Sequence, residues 1–326
     1  MTGEHPRVFV HDVSLRDGLQ AEPVFVPTDD KVALADALSA TGLARIEVTS
    51  FTSPQAIPML ADAAEVMRRI RRAPGVEYTV LVPNLRGAER ALEAPPDEFN
   101  LVMSCSETHN LANLRMTREQ SVRALRQVMR LADEAGVAVN VSLSCAFGCP
   151  MEGEVPEAPV LDLAARFLAA GAQGVTLCDT TGMAYPGQVA ALARRFIDRH
   201  PTAQLTLHLH NTRGMGLANA LAGLQAGVRR FDASLGGVGG CPYAPGATGN
   251  ICTEDLVHML ALEGCDTGVD LAALLDCARR LRAQLGHELP GQVVKAGRRL
   301  DLHPAPASLA QIRDRAMARA AEDDAR

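Results

Sequence analysis

A strand signal that returns about every thirty residues, each time followed by a helical pattern, constrains this chain more than any other feature. Eight runs carry it: "VFVHDVSL" (8–15), "RIEVTSF" (45–51), "EYTVLVP" (77–83), "EFNLVMSC" (98–105), "VAVNVSLSC" (137–145), "GVTLCDTT" (174–181), "QLTLHLHNT" (204–212) and "RRFDASLGG" (229–237). Ala-, Leu- and Arg-rich segments with helical spacing lie between them, over 28–40, 117–135, 160–170, 186–200 and 215–226, several ending in the glycine stops "EAG", "AAG" and "QAG". Eight strands alternating with eight helices over roughly 260 residues predict an α/β protein, a (β/α)8 TIM barrel. A doubly wound open sheet competes, but it usually has fewer repeats and a glycine fingerprint after its first strand. Here "RDGLQAEP" follows instead. The domain reading is a barrel over 1–286, its last helix "LAALLDCARRLRAQLG", and a short C-terminal helical extension over 287–326, partly frayed.

Composition removes several function classes. A net charge of −6 argues against nucleic acid as a partner, and the absence of Trp, with only three Tyr, removes stacking platforms for single strands. No apolar run approaches the ~20 residues that span a bilayer, so no membrane role is expected. The first strand-like run begins by Val8, leaving no room for a signal peptide. Eight cysteines in that context predict free thiols in a reducing cytoplasm; Cys145 and Cys149 are one residue too far apart for a C-x-x-C pair. The only lysines are Lys31, in the first helix pattern, and Lys295, in the tail. Schiff-base chemistry needs a lysine aimed into the site, so it is not expected.

Barrel enzymes collect reacting groups at the C-terminal ends of their strands. Those ends carry Arg16 and Asp17 after the first strand, Glu47 on the second, Asp179 on the sixth and His208 and His210 on the seventh. The loop after the eighth, "GGVGGCPYAPGATGN", carries Cys241 and Asn250. Strand alternation points both imidazoles the same way, about 7 Å apart along the strand, and the first and seventh strands lie about 9.5 Å apart around the barrel. One ion could therefore bridge Asp17 to both histidines. Two imidazoles with a carboxylate and an amide oxygen favour Mg2+ or Mn2+, with Zn2+ or Co2+ possible. Taken singly, each signal has a plainer reading: an incidental H-x-H, a helix-capping acid, an inert buried thiol. Convergence at one barrel mouth favours the site. The glycine run 236–240 lacks the Lys-Ser/Thr ending of a nucleotide loop.

"RDGLQ" (16–20), "IEVTSF" (46–51), "SCAFGCP" (144–150), "DTTG" (179–182), "HLHNTRG" (208–214) and "GGCPYAPGATGN" (239–250) together resemble the 3-hydroxy-3-methylglutaryl-CoA lyase family, in order from about residue 8 to 300. The resemblance implies cleavage of 3-hydroxy-3-methylglutaryl-CoA to acetyl-CoA and acetoacetate, the chemistry of leucine degradation and ketone-body formation, by a homodimer that takes an acyl-CoA substrate. It also implies a divalent metal at Asp17, His208, His210 and Asn250, substrate contact by Arg16 and Gln20, and catalytic roles for Cys241, Arg16, Glu47 and Asp179.

Elementary chemistry agrees with that set. Breaking C2–C3 requires the C3 hydroxyl to lose its proton while an enolate forms on the thioester side. A divalent ion chelating the hydroxyl and the distal carboxylate would ease the first step, and Arg16 the second. A thiol such as Cys241, on a glycine-rich loop, is a competent acid for protonating the enolate. The base stays open between Asp17, His208 and a water on the ion, with Glu47 or Asp179 assisting. Two departures bear on the acyl group more than on the reaction. Pro23 stands where many family members have lysine, and "NTRG" replaces "DTYG", placing Arg213 near the mouth to meet a substrate carboxylate or phosphate. Citramalyl-CoA or a 3-isoalkenyl-glutaryl-CoA are therefore alternative substrates, and a non-catalytic metal- or CoA-binding barrel is the alternative class. A synthase is disfavoured because the ~40-residue tail is too short for a regulatory domain.

Overall fold

The computed structural model describes residues 5–240 and 249–324. Among them, β1 (Phe9–Asp12), β2 (Arg45–Ser50), β3 (Glu77–Val82), β4 (Glu98–Ser104), β5 (Ala138–Ser144), β6 (Gly174–Asp179), β7 (Gln204–Leu209) and β8 (Arg230–Ala233) form a closed barrel. Neighbours are parallel throughout, and β8 returns to pair with β1. Every strand-like run in the sequence is a strand, but each stops before the end its residues predict. The cause is clearest at β1 and β8. Past β1 the amides of Arg16, Asp17 and Gly18 converge on the Val13 carbonyl at 3.2, 2.8 and 3.2 Å, winding the chain into a wide helical turn. Past β8 come Gly236 and Gly237 with φ of 61° and 75°, a backbone region that glycine adopts without strain.

The helices follow the predicted segments closely. Arg118–Ala135 shows why: Thr117 and Gln120 make a reciprocal cap at its start, and Gly136 ends it in the left-handed region. Its buried stripe, Val122, Leu125, Val128, Met129 and Ala132, lies against the barrel's apolar exterior.

Alternation sorts the strands into two faces. Val10, Ile46, Val80, Phe99, Val141, Val175 and Leu207 join the main apolar core. The opposite face, inside the barrel, is polar: His11, Arg45, Glu47, Thr79, Asn100, Asn140, Thr176 and Asp232 line one small internal space. Barrels of this class usually fill their interior with branched apolar side chains. Here each polar group is offset by a partner. Asn140 donates to Thr176 Oγ1 (2.9 Å) and to Asn100 Oδ1 (3.0 Å), and Asn100 donates to Glu47 (2.8 Å).

The barrel unit runs to Lys295, and residues from Ala296 on form a second unit. Gly286, where the sequence reading places the domain boundary, ends the helix Leu271–Leu285 with φ of 73°. In the second unit the Ala- and Arg-rich stretch forms a helix, Leu309–Asp324, as the helical extension predicts, and it buries none of its side chains.

Candidate metal centre and active site

The wide turn after β1 delivers Arg16 and Asp17 to the barrel mouth. β7 brings His208 between Cys178 of β6 and Asp232 of β8. His210 lies one residue past the end of β7, yet it is still aligned, because a bridge pairs it with Asn250. Ligand atoms of Asp17, His208 and His210 all lie within 4.8 Å of one another, and all three residues are buried. From Asp17 Oδ2 the distances are 3.8 Å to His208 Nε2 and 3.9 Å to His210 Nε2. Asn250 Nδ2 donates to the same oxygen at 2.7 Å.

Two observations fit this cluster to a cation. First, Asp232 Oδ2 lies 3.2 Å from His208 Nδ1. A carboxylate only accepts, so Nδ1 carries the proton and a neutral ring turns its Nε2 lone pair inward. That lone pair faces His210 Nε2 at 3.2 Å. Second, Asn250 Oδ1 is buried without a hydrogen-bond partner among the described residues. A hard or borderline divalent ion would take two imidazoles, a carboxylate and an amide oxygen. Burial raises the Asp17 carboxyl, but Arg16, both imidazoles and the Asn250 amide outweigh it and hold it at about 2. As a candidate ligand it is ionised at any working pH.

Arg16 binds the cluster to β2. Its Nη1 donates to Asp17 and its Nε to Glu47 Oε2 at 2.5 Å. Burial disfavours the cation, but Asp17 and Glu47 more than compensate, so its pKa lies above the usual arginine value. Burial dominates at Glu47 and raises its carboxyl. Gln20, expected at the substrate, donates to Asp17 Oδ1 at 3.0 Å and so steadies that carboxylate. Asp179, at the end of β6, accepts the amides of Met183 and Ala184 on Oδ1. Its Oδ2 is buried with no partner among the described residues. Burial lifts this carboxyl to about 6 despite those two amides. Cys241 lies outside the described residues. The segment leading to it passes over the cluster: a side chain at Gly239 would meet Asn250 Nδ2 at 2.7 Å.

Arg213 lies on the loop after β7, at the mouth. Its Nη1 donates to the carbonyls of Thr181 and Gly182 at 3.1 and 2.8 Å, tying the loop after β6 to the loop after β7. Lys31 donates to the Met59 carbonyl and to Asp62.

The family model described as HMGL-like matches residues 7–281. The chain belongs to the HMGL-like family. Among curated relatives, a hydroxymethylglutaryl-CoA lyase of Bacillus subtilis is 44% identical over 286 residues, covering 88% of this chain and 96% of its own length. An (R)-citramalyl-CoA lyase of Chloroflexus aurantiacus is 43% identical over 300 residues, covering 89% and 95%. A solved HMG-CoA lyase from Acinetobacter baumannii, in complex with coenzyme A and 3-methylmalate, superposes with a TM-score of 0.90 at 49% identity, over 94% of this chain and all of the other. This HMGL-like chain is a carbon–carbon lyase with the TIM barrel of its relatives.

Sequence reading missed Asp232 and His11. Asp232 accepts from His11 Nδ1 at 3.0 Å as well as from His208, and the two imidazoles hold its buried carboxyl well below the usual range. Burial, with Arg45 nearby, lowers His11 to about 4 and keeps it neutral. The available signal was an acid inside the otherwise buried run "RRFDASLGG".

Proposed function

We propose that the protein cleaves 3-hydroxy-3-methylglutaryl-CoA to acetyl-CoA and acetoacetate. The observation that carries this reading is the convergence of Asp17, His208, His210 and the unpartnered Asn250 oxygen beside a buried arginine. Those four residues would hold a divalent cation, Mg2+ or Mn2+ by ligand type, which when bound supplies Lewis acidity and a template for the substrate's oxygens.

The remaining steps fall to side chains of this chain. Asp179 is suited to take the C3 hydroxyl proton, since it has an unengaged oxygen and a carboxyl raised to about 6, close to working pH. The O–H electron pair becomes the ketone of acetoacetate as C2–C3 breaks, and the C2–C3 pair passes through the enolate to the thioester oxygen. Arg16 offers that oxygen a charge that does not titrate. Glu47 and Asp17 fix the guanidinium's direction. Cys241, the thiol the family resemblance nominates as the acid, then protonates C2, releasing acetyl-CoA.

Cytoplasmic placement and a homodimer complete the reading. No helix among the described residues is long and apolar enough to cross a membrane. Chelator-treated protein should lose acetyl-CoA release and regain it with Mg2+ or Mn2+. Undiminished turnover after metal removal would reject the proposal. Because relatives of both activities match at 44% and 43% identity, catalytic efficiencies on the hydroxymethylglutaryl and citramalyl thioesters decide the acyl group.

A further inference from the structure

The helix Leu309–Asp324 supplies nothing to the metal cluster and lies beyond residues 7–281, the span the family model matches. None of its side chains is buried. Yet it is not polar all round. Twelve large hydrophobic side chains are exposed among the described residues, and five of them, Leu300, Leu302, Leu309, Ile312 and Met317, fall in the second unit. At about 100° per residue, Leu309, Ile312, Ala316 and Ala320 keep the i, i+3, i+7, i+11 spacing of one face, with Met317 at its border. The two alanines leave room on that face for a close neighbour.

The helix's charges are sorted along its axis. Arg313, Arg315 and Arg319, with Asp314 among them, precede Glu322, Asp323 and Asp324, which end the helix. That order opposes the helix dipole, whose negative C-terminal end favours cations. Its one ion pair among the described residues joins Arg313 to the adjacent Asp314 at 3.1 Å, not to a side chain one turn away. A helix of 16 residues is near the length at which an isolated helix is marginal in water, and three anions at its C-terminal end weaken it further. What it lacks is a partner that covers the apolar face and brings positive charge to the acidic end. A second copy laid antiparallel supplies both. Its arginines face the acids, the two dipoles oppose each other, and apolar face meets apolar face; a parallel copy would set acid on acid.

We propose that Leu309–Asp324 is a self-association helix, pairing antiparallel with the same helix of a second copy of this chain through the face of Leu309, Ile312, Ala316 and Ala320. The contact is isologous, so it closes at two copies. It depends neither on the lyase reading nor on any contact between barrels. A seam with so few large side chains is weak by itself, and it gains most where two copies are already held near each other.

Cysteine cross-linking in the whole chain tests both the pairing and its direction. Full overlap of two antiparallel copies centres on Ala316 and Met317 and holds the two Leu309 positions roughly 20 Å apart along the axis. Under mild oxidation Ala316→Cys should therefore give about tenfold or more covalent dimer than the parent chain, and Leu309→Cys no more than the parent. Adding Arg313→Glu, Arg315→Glu and Arg319→Glu to Ala316→Cys should cut the cross-link about tenfold, because acid then faces acid. Mixing that chain with one carrying Ala316→Cys, Glu322→Lys, Asp323→Lys and Asp324→Lys should restore it as a mixed dimer, which also shows that the substituted helices still form. No excess for Ala316→Cys over the parent, an equal cross-link for Leu309→Cys, no loss on charge reversal, or no recovery in the mixture would overturn the proposal. So would peptide mass spectrometry that finds the thiol introduced at position 316 joined to a barrel cysteine, which would seat the helix on a barrel instead.

Discussion

Two buried arginines, each bracketed by two carboxylates, stand inside one barrel and do different work. Arg45, at the start of β2, donates to Glu77 at 2.8 Å and to Glu98 at 2.9 Å, and Thr79 donates to Glu98 at 3.0 Å. Arg16, past the end of β1, donates to Asp17 and Glu47. The lower cluster closes on itself: no side-chain atom of Arg45, Glu77, Glu98 or Thr79 is left buried and unpartnered. Around the upper cluster Asn250 Oδ1 and Asp179 Oδ2 are buried without partners among the described residues. An unsatisfied buried oxygen costs about 1–3 kcal/mol. A chain carries that cost where a ligand removes it. The comparison separates an ion-pair layer that holds the barrel from one built to receive something.

The largest break in this contrast should come at the ligands. His208→Ala removes a ring nitrogen from the centre, and turnover should fall about a thousandfold or more while thermal unfolding moves little. Asp179→Asn should lower kcat/KM by about a hundredfold or more. The parent's kcat/KM should rise with pH through about 6, because the carboxylate form acts as base and its burial raises its pKa. The variant should lose that inflection; an unchanged profile would remove Asp179 from the role of base. Asp232→Asn keeps the shape but leaves one acceptor oxygen for His11 and His208 together, so the His208 tautomer is no longer fixed, and metal affinity should fall about 10–100-fold in a titration of the metal-free protein. Arg45→Met should move kcat least, within about a factor of two. Yet it leaves Glu77 and Glu98 without their cation, and denaturant unfolding should show a loss of about 3–5 kcal/mol. If Arg45→Met cut turnover and spared stability, the two clusters would not differ as argued.

Much of this was legible in one dimension. Strand and helix periods are local, so all eight strands and five of the helices between them could be located from the residues, while short helices such as Ala63–Arg69 and Leu85–Ala91 were not; Gly136 and Gly286 mark helix ends that the structure keeps. The H-x-H spacing was legible too, since alternation alone puts His208 and His210 on one face. Strand ends were not: β1 stops at Asp12 because three amides compete for the Val13 carbonyl, which no propensity reveals. Nor could the residues in order show that Arg213 Nη1 donates to two carbonyls of the neighbouring loop.

The residues in order therefore determined a parallel eight-stranded cylinder and nominated the groups at its C-terminal rim, because both follow from short periods and from where strands end. Only closure of the cylinder decided which polar side chains meet. Joining β8 to β1 brings Asp232 to His11, and the wide turn past β1 brings Asp17 to Asn250. Those partners lie 221 and 233 residues apart in the chain, so no local pattern could pair them. Their distances, burial and unsatisfied atoms, which separate Arg16 from Arg45, exist only once the sheet is complete.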